Sequence, residues 1–216
     1  MTEGPTVELS EVFVSIQGEG SSVGWPFFFV RTAGCPLRCT WCDSTYAYQP
    51  AFELTGGEIV RQALHSRVAR VLVTGGEPLA QPAAVRLISM LCDAGLEVWA
   101  ETGGSEDTFG VDPRAHLAVD VKGPSSGMAD HMCWSNLERL RPTDDVKFVL
   151  SHREDYVYAK RVIDKYALNE RCTVLLSPVH GVLDAQALAE WMLADRLQSR
   201  LQLQMHRIIW DDARGR

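Results

Sequence analysis

The sequence has no apolar run near the roughly 18 residues a membrane helix needs, so no spanning segment is expected. It also lacks a basic excess. Against 28 Asp and Glu stand 21 Lys and Arg, a net charge of −7. That argues against broad binding to nucleic acid or to an anionic membrane, which calls for a basic surface. A local basic pocket for an anionic substrate stays compatible with it. The first residues, MTEGPTVELSE, lack the basic-then-apolar pattern of a signal peptide, so a cytoplasmic protein is expected. No internal repeat, low-complexity tract or linker interrupts the 216 residues, which fit one domain over 1–216. That length buries a sizeable core, and 46% hydrophobic with 23% charged residues is ordinary for a soluble globular chain.

Cysteine is thinly spread except at one place. Three of the six cysteines, Cys35, Cys39 and Cys42, fall within eight residues as C-x3-C-x2-C. In a reducing cytosol a disulfide framework is not the expected use of such thiols. Cys92 and Cys172 lie in apolar stretches and read as small buried hydrophobes, and Cys133 lies in a polar segment. Three close thiolates make a soft metal site. A closed zinc site wants four protein ligands, and a cubane iron–sulfur cluster normally takes one cysteine on each iron. With no fourth Cys or His nearby, one iron of a cluster would stay open to a small molecule. A zinc knuckle with a distant fourth ligand and a redox pair are the rival readings.

Strand-like segments are predicted at Leu9–Ile16, Phe27–Thr32, Val68–Thr74, Glu97–Glu101, Leu117–Val121, Val146–Leu150, Cys172–Leu176 and Leu201–Met205. Helical periodicity is predicted at Thr55–Ser66, Gln81–Ala94, Ser151–Tyr166 and Asp184–Arg196. Alternation of this kind implies an α/β chain with a mostly parallel sheet, as a barrel or a doubly wound fold. Ligands in such folds gather at the C-terminal strand ends. The segments there are the cysteine loop, Thr74-Gly75-Gly76-Glu77-Pro78, Glu101-Thr102-Gly103-Gly104-Ser105, Asp120-Val121-Lys122 and Ser177-Pro178-Val179-His180. Taken singly, each of the last four also reads as a turn or a cap. The same holds for Gln17-Gly18-Glu19-Gly20, which has no basic residue of a phosphate loop.

Taken together, the cysteine loop with Trp41 before its last cysteine and the GGE of TGGEP resemble the radical S-adenosylmethionine superfamily. F-x-S-I-Q-G-E-G, Arg31-x2-Gly34-Cys35, Cys42-Asp43-Ser44 and the C-terminal LQLQMHR narrow this to a resemblance to the 7-carboxy-7-deazaguanine synthase family. It covers Glu11 to His206, with Gly103 where the family usually has asparagine and Arg207 where it usually has lysine. The resemblance implies a partial (incomplete) TIM-type barrel and a [4Fe-4S] cluster on Cys35, Cys39 and Cys42 whose open iron holds S-adenosylmethionine. It implies cofactor contacts from Trp41, Cys42, Asp43, Gly76, Asp120, Val121, Lys122, Ser177, Pro178, Val179 and His180. The implied reaction converts 6-carboxy-5,6,7,8-tetrahydropterin to 7-carboxy-7-deazaguanine with release of ammonia, in queuosine and deazapurine biosynthesis, through a 5′-deoxyadenosyl radical.

Pterin contacts are implied for Ile16, Gln17, Gly18, Arg31, Thr74 and the terminal carboxylate of Arg216. A magnesium ion is implied on Ser44, with Asp43 able to orient its shell. A homodimer and a reducing partner such as flavodoxin or ferredoxin are also implied. Two other functions remain open on the sequence. A glycyl-radical enzyme activase shares the cysteine loop and GGEP but needs an open surface for a protein substrate. A non-catalytic zinc or cluster module needs only the cysteines.

Overall fold

The core strands carry apolar residues on both faces, the pattern of a sheet covered on both sides. In Pro26–Thr32 (β2), Phe28 and Val30 face one way, into a cluster with Val71, Val73, Val98 and Ala100, while Phe27 and Phe29 face the other, toward Leu72. The computed structural model describes residues 3–211 and 213–216. Thr6–Ile16 (β1) and Phe52–Thr55 (β3) precede Arg70–Gly75 (β4), Glu97–Thr102 (β5), His116–Val121 (β6), Asp145–Leu150 (β7), Thr173–Pro178 (β8) and Arg200–Leu201 (β9). They form one sheet in the order β3-β1-β2-β4-β5-β6-β7-β8-β9. From β2 to β9 every pairing is parallel, and β1 pairs antiparallel with both β2 and β3. The sheet ends in β3 and β9 and does not close, an α/β partial barrel as expected.

Helices cover the outer face. Gly56–Ser66 (α1) begins in a full capping box, with Thr55 and Glu58 satisfying each other's backbone N–H groups. Pro82–Asp93 (α2) starts on a proline, where a missing N–H costs nothing. Both pack on β1, β2, β4 and β5 through Ile59, Ala63, Leu87, Ile88 and Leu91. Arg153–Tyr166 (α4) and Ala185–Ala194 (α5) cover β6, β7 and β8 through Tyr156, Ile163 and Leu188. Ser135–Glu138 (α3) is one turn, and Met205–Trp210 (α6) closes the chain's last segment.

The expected alternation fails in two places. Residues 103–115 between β5 and β6 hold no helix; Asn136 fixes that loop instead, donating to the Glu106 carbonyl and accepting from Thr108. The strand expected at Leu201–Met205 is a correction. Only Leu201 belongs to a strand, and helix α6 begins at Met205. The apolar-polar alternation of LQLQM mimicked a strand, but Leu203 is 42% exposed and finds no inner face to occupy. The β3 strand was absent from the expectation because its four residues run straight into the cap of α1.

The inner face is divided along the strands. Phe27, Trp99 and His116, early in β2, β5 and β6, join Phe13 and Phe29 in one aromatic stack. Ring centroids lie 4.8 Å apart for Phe13–Phe29, 5.0 Å for Phe27–Trp99 and 4.4 Å for Trp99–His116. Further along the same strands the inner positions turn polar, with Arg31 in β2, Glu101 in β5 and Asp120 in β6. Replacing Phe27 by Ala removes a fully buried ring from this plug. Denaturant unfolding is expected to show a loss of about 3–5 kcal/mol.

Candidate active site

The loop after β2 and the turn after β4 are locked together. Gly76 N–H donates to the Thr32 carbonyl at 3.0 Å, and Glu77 N–H to the Gly34 carbonyl at 2.7 Å. A Cβ on Gly76 would sit 1.9 Å from the Gly34 oxygen, so only glycine permits this contact. Glu77 itself is fully buried and turns away from the cavity. It accepts from Leu79 N–H (3.0 Å), the Thr102 hydroxyl (2.9 Å) and Gly103 N–H (2.7 Å). Burial raises the Glu77 carboxyl pKa, against the pull of those donors. Its role here is to tie the TGGEP turn to the ETGG turn rather than to present charge to a ligand. Gly103 serves through its N–H, so the asparagine expected by resemblance has no bracing task to perform at this position. The loop after β6 is tied in as well, by Thr40 N–H to the Ser126 carbonyl at 3.1 Å.

These loops surround a cavity of about 410 Å³. Cys35, Cys39, Cys42, Trp41, Asp43 and Ser44 line one wall. Ile16, Gln17, Gly18, Arg31, Thr74 and Gly76 line another, and Asp120, Lys122, Val179, His180 and Arg216 complete it. Of the residues singled out in the sequence, three differ. Val121 is buried in the helix-side core, which leaves its backbone as its only means of contact. Ser177 is buried just below the rim, and Pro178 lines an adjoining groove.

The residues present suit the groups that the sequence implies. All three cysteines are free thiols on one wall, half-exposed. Burial, and the charges of Glu77 and the other two cysteines, push the Cys35 thiol up. Burial does the same at Cys39, opposed by Lys122 and assisted by Asp120. Three crowded thiolates thus want positive charge between them, which iron supplies. Buried polar atoms without partners point to a polar ligand: Ser177 Oγ and Asp120 Oδ1 have none among the described residues. Ser44 Oγ donates to Asp43 Oδ1 at 2.8 Å, which leaves its lone pairs for a cation. Among the described residues no three Cys, His, Asp or Glu side chains close on one metal ion. A magnesium ion at Ser44 would therefore draw most of its ligands from water and substrate, as is usual for it.

Four residues to which the sequence assigned no role of their own matter here. Glu101 accepts from Gln17 Nε2 (3.0 Å) and from the Thr74 hydroxyl (2.8 Å). Lys147 pairs with Glu19 and lies 3.5 Å from Asp120, while Gln204 donates to Glu19 at 2.6 Å. Burial would lower the Lys147 ammonium, but Glu19, Asp120 and Glu101 outweigh it and hold it well above the usual range. Burial likewise opposes both members of the Asp120–Lys122 pair, 2.9 Å apart, yet their attraction lowers Asp120 and raises Lys122. Strand parity was the available signal: Glu101 shares its face with Trp99, and Lys147 lies level with Asp120 across β6 and β7. Arg31 donates through Nε to Glu11 at 2.7 Å, and Glu11 also accepts from Tyr46. At Tyr48, burial and hydrogen-bond contact with Cys42 push the phenol up to about 12, so it stays protonated.

The QGEG segment reaches the cavity from an unexpected side. Because β1 is antiparallel to β2, residues 17–25 leave the sheet where β2 begins and fold inward. Gln17 meets Glu101, Glu19 meets Lys147, and Ser21 N–H donates to Asp145 at 2.7 Å. The C-terminal segment closes over this loop. Met205 N–H donates to the Gly18 carbonyl at 3.0 Å, and Arg214 stacks on Tyr46 at 3.9 Å.

Comparison with known proteins places this geometry. Residues 29–126 match the radical SAM superfamily. A 7-carboxy-7-deazaguanine synthase of Chlorobaculum tepidum is 45% identical over 99% of both chains. One of Koribacter versatilis is 36% identical over 94% of this chain and 97% of its own. Among solved structures, QueE from Escherichia coli superposes with a TM-score of 0.78 at 20% identity, over 93% of this chain and 95% of its own. That likeness speaks for the fold. Replacing Glu77 by Ala strands two buried N–H groups and a hydroxyl, at about 1–3 kcal/mol each. Calorimetry on the cluster-loaded protein is expected to show S-adenosylmethionine binding weakened at least tenfold; unchanged affinity would remove Glu77 from this role.

Proposed function

The chain belongs to the 7-carboxy-7-deazaguanine synthase family of radical SAM enzymes, and on that premise we propose that it carries out the family reaction. Its substrate is 6-carboxy-5,6,7,8-tetrahydropterin, its product 7-carboxy-7-deazaguanine, and ammonia is released. The observation that carries this reading is the meeting, in one cavity, of the cysteine loop with the QGEG segment and Arg31. The relatives offer no support for an activase of glycyl-radical enzymes. A [4Fe-4S] cluster and S-adenosylmethionine, when bound, supply one-electron chemistry that yields a 5′-deoxyadenosyl radical, with S-adenosylmethionine restored each turnover.

The chain's own residues bind and orient around that chemistry. Cys35, Cys39 and Cys42 hold the cluster. Gly76, held against Gly34 and lining the cavity, offers its backbone to the methionyl amine, while Asp120 Oδ1 and Ser177 Oγ, without partners among the described residues, accept from and donate to the ribose and adenine. Trp41, Val179 and His180 complete that wall, with backbone contacts from Val121 and Pro178. Arg31 is held by Glu11 through Nε, so both Nη groups remain to meet the pterin carboxylate as a fork. Gln17, Thr74 and Glu101 form a connected donor–acceptor row for the pterin edge, bordered by the Ile16–Gly18 backbone. Lys122, paired with Asp120, belongs to the S-adenosylmethionine wall, and Lys147, paired with Glu19, lines the cavity beside Asp120. Ser44 takes magnesium, oriented by Asp43, and Arg216, which lines the cavity, contributes a further pterin contact. The protein works as one domain over 1–216, in the cytoplasm, as a homodimer reduced by a flavodoxin or ferredoxin, and feeds the queuosine pathway of tRNA modification. No helix among the described residues is long and apolar enough to cross a membrane.

The test is anaerobic incubation of reduced, reconstituted protein with S-adenosylmethionine, magnesium and the carboxylated tetrahydropterin. Deazaguanine product and ammonia, without net loss of S-adenosylmethionine, are expected. Deoxyadenosine accumulating with no deazapurine would sink the reading. Ser44→Ala is expected to keep the cluster's absorbance and to raise the magnesium concentration for half-maximal rate about tenfold or more; an unaltered magnesium response refutes that ligand.

A further inference from the structure

Strand β7 serves both halves of the cavity. Its inner residues Asp145 and Lys147 hold the segment after β1: Asp145 accepts from Ser21 N–H at 2.7 Å, and Lys147 pairs with Glu19. Lys147 also stands level with Asp120 on the neighbouring strand, 3.5 Å from its Oδ2. That same oxygen lies 2.9 Å from Lys122, while Asp120 Oδ1 is buried and has no partner among the described residues. Glu19 accepts from Gln204 through its other oxygen, at 2.6 Å. Lys122, Asp120, Lys147 and Glu19 therefore form a row of alternating charges, with Gln204 at its end. The row runs from the wall proposed for S-adenosylmethionine to the segment proposed for the pterin edge. Lys147 stands in it with a carboxylate on either side.

We propose that Lys147 is a positioning residue that couples the two ligands, so that S-adenosylmethionine and the pterin each tighten the binding of the other. This rests on the ligand assignment proposed above. Lys147 has one charge to divide between two carboxylates, and both are largely removed from water. An inner carboxylate short of partners is costly. With Oδ1 unserved, Asp120 draws on both lysines. A ribose hydroxyl donating to Oδ1 meets part of that demand, and the Lys147 ammonium is released toward Glu19. Glu19, held more firmly, fixes Gln17 and Gly18 next to it in the chain. The pterin then meets a segment already in place, and ordering that segment no longer opposes its binding. The reverse effect is equal in size, because coupling between two sites is reciprocal. The effect needs no transfer of a proton or an electron, and none of the four charged residues is a cluster ligand.

Titration calorimetry on cluster-loaded protein without reductant reads the coupling, since neither ligand is consumed there. In the wild type, saturating pterin is expected to lower the Kd of S-adenosylmethionine about fivefold or more, and saturating S-adenosylmethionine to lower that of the pterin by the same factor. Lys147→Met keeps a long side chain and removes the charge. It is expected to bring the factor to within about twofold of unity, the range of independent sites. The factor is a ratio, so a general loosening of the site cancels from it. Glu19→Gln keeps an oxygen for Gln204 and weakens the link from its other end. The same collapse is expected there, and the double variant is expected to lose nothing further. If Lys147→Met loads no cluster, Glu19→Gln decides by the same ratio. A loaded Lys147→Met protein that retains the wild-type factor overturns the inference and leaves the proposed reaction standing. So does a wild type that binds the two ligands independently. A wild type that binds S-adenosylmethionine but not the pterin overturns the proposed substrate together with the inference.

Discussion

The contact on which the site depends is the approach of the Gly75-Gly76 turn to the chain leaving β2. Two backbone hydrogen bonds, from Gly76 to Thr32 and from Glu77 to Gly34, join the segment that carries the cysteines to the next strand end. A side chain at Gly75 would collide with the Thr32 carbonyl at 2.3 Å, and one at Gly76 with the Gly34 carbonyl at 1.9 Å. Everything above the sheet follows from that closeness. Glu77 is drawn inward, where it has only the Thr102 hydroxyl and the amides of Leu79 and Gly103 to satisfy it. The loops after β2, β4 and β5 are therefore hydrogen-bonded into one unit, and the Thr40–Ser126 contact adds the loop after β6.

Beneath that body the interior is graded. Aromatic rings close the side where the parallel strands begin, and charges occupy the levels above them. Inner charges so well removed from water need partners. They have them: Arg31 with Glu11, Lys122 with Asp120, and Lys147 with Glu19 and Asp120. What is left unpaired is accordingly informative, since a buried oxygen such as Ser177 Oγ without a donor or acceptor is costly until something arrives.

Much of this was legible in the residues. β2, β4, β5, β6, β7 and β8 stand where β-branched and aromatic runs place them, because strands covered on both faces leave continuous apolar stretches. The cysteine spacing and the glycine turns lie at strand ends, as the alternation implies. The sequence misled at LQLQM, where period-two alternation belongs to an exposed connector and a helix start. It named the segments of Glu101 and Glu19 without giving either a role, and passed over Lys147. Each is tied into the site by a partner far along the chain, 84, 185 or 128 residues away, a pairing that no local pattern encodes. Glu77 was visible, but its direction was not: the motif places a carboxylate beside the cofactor, whereas the fold turns it into a brace.

The inward fold of residues 17–25 has a further consequence. The parts that bear on radical formation come from one end of the barrel, while Gln17 and Glu19 come from the other, carried by a strand that runs against the rest. The two sets share the cavity but hardly share backbone. A lineage can therefore rewrite the β1–β2 connection, and with it the molecule being transformed, while the machinery that starts the reaction is inherited intact.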